Sequence, residues 1–209
     1  MSPRKAAALR DRDDRDLRQH LIATAAQLLA EQGGAGLTVR AIARAAGVAD
    51  GVLYNHFADK QELLGAALRA HVDSVQGALA PLPEPGTASV AANLATYLEQ
   101  GLALHRAIIP VFTSLLTQPA VLSRFAEWPG SELDWRDRLS DYLHAEHDLG
   151  RLDPAADLGA AVAILVGICH DEALSALLPR ARAETLPSSA ESVVTTLMAG
   201  IGPRGEPSA

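Results

Sequence analysis

Residues 47–60 read GVADGVLYNHFADK, and this stretch decides how the rest of the chain is understood. Gly47 and Val48 break a preceding helical pattern. A short second helix then carries Leu53 and Phe57 four residues apart, on one face. Asp50, Gly51, Tyr54 and Asn55 fall on the opposite face. A helix this short is marginal in water, so burial of Leu53 and Phe57 must hold it. The whole chain has only three tyrosines and three phenylalanines. Placing two of these six on one short segment, one facing in and one facing out, implies an outward contact for Tyr54.

Upstream, Leu17, Leu21, Ala25, Leu28 and Leu29 follow a helical stripe that ends at Gly33-Gly34. Thr38 stands as N-cap to VRAIARAAG. Val39, Ile42, Ala43 and Ala46 form the inner face of that helix and leave Arg40 and Arg44 on the outer one. Downstream, Asp59 with Glu62 three residues later forms a capping box. It opens a helix bearing Leu63, Leu64, Ala67, Leu68, His71, Val72 and Val75. A long helix, a second helix, a glycine turn and a short third helix describe a helix-turn-helix. In that arrangement the last helix lies in the major groove and the one before it crosses the backbone.

The run LTVRAIARAAGVADGVLYNHFADKQELL, residues 37–64, resembles the DNA-binding domain of TetR-family transcriptional regulators. The resemblance covers roughly residues 17–75. It implies an all-α protein, with an N-terminal three-helix DNA-binding domain joined by a long helix to a larger helical ligand-binding and dimerisation domain. It also implies a homodimeric repressor, released from a palindromic double-stranded DNA operator when a small-molecule effector binds. Effector binding would move the helix after Asp59 and change the distance between the two recognition helices. The residues implied for DNA contact are Thr38, Arg40, Arg44, Asp50, Gly51, Tyr54, Asn55, His56 and Lys60. Arg40 suits a phosphate or a guanine edge. Where the family commonly has Ser or Thr, this chain has Ala49, which cannot cap the third helix. Asp50 favours that helix's dipole, repels phosphate, and is a candidate acceptor for a cytosine amino group.

Around this head, residues 1–16 mix both charge signs without an apolar period and are expected to be a disordered arm. The expected organisation continues with the DNA-binding domain over 17–58, a connecting helix over 59–80, and the regulatory domain over 81–209. PLPEPG, residues 81–86, is the clearest linker. Further helices are expected near 88–104, 108–116, 120–127 and 132–148. Two more are announced by Asp153-Pro154 and by Ser188 with Glu191.

Composition limits the alternatives. The net charge is −7, yet residues 1–70 carry ten Lys/Arg against eight Asp/Glu, and the rest carry eight against seventeen. Such asymmetry suggests two tasks in one chain. A single cysteine, Cys169, fits a reducing cytoplasm. The longest uninterrupted apolar run, 158–169, is shorter than the ~20 residues that span a bilayer, so no membrane partner is expected. No phosphate loop, nucleophile elbow or Cys-x-x-Cys is present, and no enzyme activity, metal or cofactor is expected. His144 and His147 beside Glu146 have a spacing that could serve a metal, though a solvated helix face explains them as well.

In the remainder, Gly159, Ala163 and Gly167 form a ridge of small residues beside Leu158, Val162, Leu165 and Ile168. With Val194, Leu197 and Met198 of the final helix, this ridge has the place and character of the resembled family's dimer interface. Tyr97, His105, Phe112, Phe125, Trp128 and Trp135 are the candidate walls of an effector pocket. The acidity of this part favours cationic or neutral effectors. Two other readings remain: a helical ligand-binding protein whose head has lost DNA binding, with Ala49 and Asp50 as its signs, and an α-helical enzyme.

Overall fold

A computed structural model describes residues 3–127, 135–178 and 189–200. Among the described residues there are nine helices and no strand. They are α1 (Pro3–Gln32), α2 (Val39–Ala46), α3 (Asp50–His56), α4 (Lys60–Ala78), α5 (Val90–Ser114), α6 (Pro119–Ala126), α7 (Trp135–Asp148), α8 (Leu158–Leu177) and α9 (Ala190–Ala199). The chain divides into two compact units. Unit 1 is Met1–Ala78 with Ala107–Ser131, and unit 2 is Leu79–Arg106 with Glu132–Ala209.

Unit 1 is built on α1, which packs against α4 and α2, while α2 packs on α3 and α4 on α6. Leu21, Ala25 and Leu29 of α1 are fully buried, as are Ile42, Ala43, Leu64 and Leu68. The expected caps form. Thr38 Oγ1 accepts from Ala41 N at 3.1 Å, and Gly47 ends α2 at φ 74°, a left-handed conformation that glycine adopts without a Cβ clash. Asp59 accepts from Glu62 N, and Glu62 reaches back to accept from Ala58 N, each at 2.7 Å. Gly65 is required by packing: a Cβ there would sit 2.8 Å from Arg124 Cβ on α6.

Three expectations are corrected. The arm expected to be disordered is helical from Pro3 onward, continuous with α1. The two helices expected near 88–104 and 108–116 are one, α5, which runs through Pro110. Proline normally interrupts a helix, yet α5 continues past the exposed Pro110 to Ser114. The helix expected to open at Asp153-Pro154 instead opens at Leu158. Asp157 caps it by accepting from Ala160 N at 2.9 Å, and Asp153 closes a local turn onto Ala155 N.

In unit 2, α7 packs on α8. Tyr97 stacks on Tyr142 with centroids 4.6 Å apart, and Trp135 Nε1 donates to Tyr97 O at 3.0 Å. Gly101 admits the Trp135 ring, since a Cβ there would lie 2.3 Å from Trp135 Cζ2. The Glu146 carboxylate is fully buried and meets Arg151 at 2.9 Å and Gly86 N at 3.2 Å. Arg151 also donates to the carbonyls of Thr87 and Ala88, fixing the linker by its backbone. Glu146 therefore points inward, while His144 Nδ1 bonds Ser140 O at 2.8 Å on the exposed side. Among the described residues no group of three His, Cys, Asp or Glu is placed to hold a metal ion.

Taken as a whole helix rather than as an unbroken apolar run, α8 is long and apolar enough to cross a membrane, with mean hydropathy 1.6 over its most apolar window. Its inner side, with Val162, Leu165, Val166, Cys169 and Ala173, is buried in the protein.

Candidate nucleic-acid interface

The α2–turn–α3 segment sorts its side chains as the spacing predicts. Leu53 and Phe57 are 2% and 4% exposed, whereas Tyr54 is 62% exposed. Asp50, Gly51 and Asn55 are exposed beside Tyr54, and Arg40 and Arg44 are exposed on α2. Thr38 is exposed at the start of α2, and Lys60 is half-buried at the start of α4. The Ala49 N-cap makes no side-chain hydrogen bond, so the first amides of α3 lack that partner.

Three of the expected residues have surroundings within the chain that their spacing alone does not show. Arg40 Nε donates to Asp50 Oδ2 at 3.2 Å, joining the two helices across the turn. The His56 imidazole is only 5% exposed and lies 3.5 Å from Asp14 Oδ1 on α1, so it is turned into unit 1 rather than outward. For Gly51, an added Cβ would meet nothing within 4 Å, so no contact inside the protein requires a glycine there.

Residues not singled out by the sequence brace this surface from α1. The Arg18 guanidinium sits 4.7 Å over the Phe57 ring, and its Nη2 donates to Glu62 Oε1 at 3.2 Å. One side chain thus clamps the end of α3 and the start of α4. His20 Nε2 lies 3.2 Å from Ala46 O, at the end of α2 where helix carbonyls lack partners. The signal for Arg18 was its place one turn before Leu21 and Ile22, at the end of the buried stripe. The Gly33-Gly34 turn is held from α5 and the turn after it. Ser114 Oγ accepts from Gly34 N at 2.7 Å, and Gln118 Nε2 donates to Gly34 O at 2.9 Å.

The expected pocket residues fall into two separate groups. Phe112 and Phe125 meet edge-to-face at 5.3 Å within unit 1. Tyr97, His105 and Trp135 lie in unit 2, each at most 8% exposed, with their rings packed on neighbouring rings. Trp128 lies outside the described residues. Burial lowers the His105 pKa; its Nδ1 bond to Gly101 O at 2.7 Å partly opposes this, and His170, 4.9 Å away, adds to it. Burial likewise raises the Tyr97 pKa. A cavity of about 350 Å³ in unit 2 is lined instead by residues such as Leu94, Leu143, Arg151 and Leu158.

The expected dimer residues also divide. Val162, Leu165 and Val194 are at most 5% exposed and are buried within the chain itself. Gly159, Ala163, Gly167 and Met198 are exposed, and Leu158 and Leu197 are half-buried. The exposed side carries a groove of about 480 Å³ lined by Ile164, Ile168, Ser192, Val193, Thr196, Leu197 and Gly200.

A helix-turn-helix braced by a long first helix, on an otherwise all-helical chain, defines the class of helical DNA-binding regulators. Residues 21–67 match the family model described as bacterial regulatory proteins, tetR family. The HTH-type transcriptional repressor KstR2 of Mycobacterium tuberculosis is 45% identical over 56 residues, 27% of this chain and 28% of that protein. The chain therefore matches little more than a quarter of the length of this curated relative. Among solved structures, a TetR-family transcriptional regulator from Rhodococcus sp. aligns over 88% of this chain and 97% of its own, with TM-score 0.60 and 20% identity. The multidrug binding protein EbrR, in complex with ethidium, aligns over 87% and 98%, with TM-score 0.54 and 28% identity. The TetR-family match is thus carried by residues 21–67, and solved TetR-family structures share the fold over most of the chain.

Proposed function

We propose that this protein is a sequence-specific DNA-binding repressor that acts as a homodimer on a palindromic operator and is released by a small-molecule effector. The observation that carries the reading is the opposite fate of neighbours on α3: Leu53 and Phe57 are anchored in the core while Tyr54 stands 62% exposed among polar residues. That is the geometry of a helix presented to a major groove. Thr38 and Lys60 reach phosphates, Arg40 and Tyr54 reach the groove, and Arg44 and Asn55 flank them. His56 acts from inside, holding α3 to α1 through Asp14. Gly51 leaves open space in which the DNA can approach the backbone.

Dimerisation is supported by the exposed apolar side of α8 and α9, where Ile164 and Met198 are 49% and 46% exposed. The small residues Gly159, Ala163 and Gly167 allow close approach of a second copy. That copy, rather than lipid, accounts for the hydropathy of α8. Two α3 helices related by a two-fold axis read half-sites about 34–36 Å apart. An effector-binding role for unit 2 is supported by the 28%-identical EbrR and its ethidium complex, and a cationic or neutral effector suits the acidity of residues 71–209. Tyr97, His105 and Trp135 are its proposed contacts. The protein acts in the cytoplasm, without enzymatic turnover.

The test is binding to the protein's own upstream DNA across a salt series, beside an Arg40→Ala, Tyr54→Ala double variant. Affinity that falls steeply with salt and is lost in the variant supports the regulator. If no genomic fragment bound above the nonspecific level, the uncapped Ala49 would mark a head that has lost DNA binding, and ligand binding by unit 2 would be the surviving function.

A further inference from the structure

The geometry points to Asp50 as a specificity-determining residue that acts through Arg40: it holds the guanidinium by Nε so that both terminal nitrogens face outward for one guanine in each half-site. This inference rests on the reading of unit 1 as a DNA-binding head and goes beyond it, because it assigns the acid of the recognition helix a role that is neither repulsion nor direct base contact.

An acid on a DNA-facing surface is unexpected. A lone Asp50 would repel the phosphates and lower affinity for every sequence. Asp50 is not alone: its Oδ2 accepts from Arg40 Nε at 3.2 Å, bridging the start of α3 to the first turn of α2. The Arg40 side chain is 85% exposed and that of Asp50 49%. A pair this open to solvent adds little to folding stability. What it changes is direction. Arginine has five N–H donors in a planar fork. The Nε edge is taken by Asp50, and among the described residues Arg40 has no other partner. The Nη edge is left, and two parallel N–H donors on that edge match guanine O6 and N7.

A flexible arginine can settle on a phosphate or on a base edge, and only the second choice carries sequence information. Tethering Nε removes rotamer freedom before DNA arrives, which lowers the ordering cost of the base contact. It also cancels one positive charge, which weakens the competing phosphate contact. Asp50 therefore lowers affinity for DNA in general while raising discrimination at one base pair.

The experiment is selection of bound sequences from a randomised duplex library, followed by affinity measurement on the selected site and on its single-base changes. The full-length protein is compared with Asp50→Ala, Asp50→Asn, Arg40→Ala and the Arg40→Ala, Asp50→Ala double variant. Melting curves verify that each variant is folded. The expected result is a guanine preference at one position per half-site that falls roughly tenfold in either Asp50 variant, as befits a lost bidentate contact. Binding to nonspecific duplex is unchanged or tighter in those variants. In the Arg40→Ala background, removing Asp50 costs no further discrimination, because the acid acts through the arginine.

Guanine discrimination as strong in the Asp50 variants as in the parent would overturn the inference and leave the DNA-binding reading standing. So would loss of a cytosine preference that persists without Arg40, which would make Asp50 a direct reader. If the parent protein selected no sequence, the DNA-binding reading itself would fall, and the inference with it.

Discussion

On α3, Phe57 is 4% exposed and Tyr54, three residues earlier, is 62% exposed. In unit 2 the corresponding choice is never made: Tyr97, Trp135 and Tyr142 are 5%, 4% and 2% exposed, stacked or hydrogen-bonded among themselves. The same residue type thus serves two ends. In unit 2 each ring is buried and fills core volume. On α3 one ring does that work, and its neighbour stands in solvent, gaining nothing for the fold. A large apolar ring left in water next to one that is buried indicates a contact beyond the chain itself.

Truncating a ring on the inside should have the largest effect. Trp135→Ala should destabilise the protein by about 3–5 kcal/mol, because it removes a large buried ring and leaves Gly101 facing a void. Equilibrium denaturation measures it, and a loss under about 1 kcal/mol would mean that the ring cluster of unit 2 is loosely packed. A smaller effect is expected at His105. Its pKa is lowered chiefly by burial, so between that lowered value and the ordinary value near 6.5 the unfolded chain binds more protons than the folded one. Stability contributed by the neutral ring is therefore complete above about pH 6.5 and is lost as the pH falls through the window below it. His105→Gln should flatten that part of the decline in melting temperature between neutral and mildly acid pH. An unchanged slope would rule out the assignment. The smallest effect on stability belongs to the outside ring. Tyr54→Ala should leave the unfolding free energy within about 0.5 kcal/mol of the parent, while weakening DNA binding. A large stability loss would show Tyr54 to be core after all, and the contrast with unit 2 would disappear.

Where local chemistry decides an outcome, the sequence was legible. Thr38, Gly47 and Asp59 announce helix ends through groups on their own side chains or through a missing Cβ, and each end forms there. The four-residue spacing of Leu53 and Phe57 separates the two faces of α3 without reference to anything distant. What escaped was set by contacts far along the chain. His56 is turned inward by Asp14, 42 positions before it. Arg40 meets Asp50 only because the Gly47 turn folds one helix back on the other. Pro110 reads as a break, yet α5 continues through it. At Asp153-Pro154 two acids compete for one helix start, and local rules did not choose between Asp153 and Asp157. The small residues Gly159, Ala163 and Gly167 are exposed on α8. Which of their neighbours face inward depends on the rotation of α8 against α7, which periodicity leaves open.

Cys169 gives the molecule one more property. It is the chain's sole cysteine, it is 1% exposed on the inner side of α8, and burial pushes its thiol up to about 12. Only a thiolate attacks a disulfide reagent, and the packed protein offers neither the charge nor the access. Each labelling event is then a record of α8 having briefly come away from its neighbours, and the labelling rate is a clock for local opening. No cysteine has to be engineered to read it. An effector that tightens unit 2 would slow this clock, so candidate molecules can be ranked by their effect on it before any operator is known.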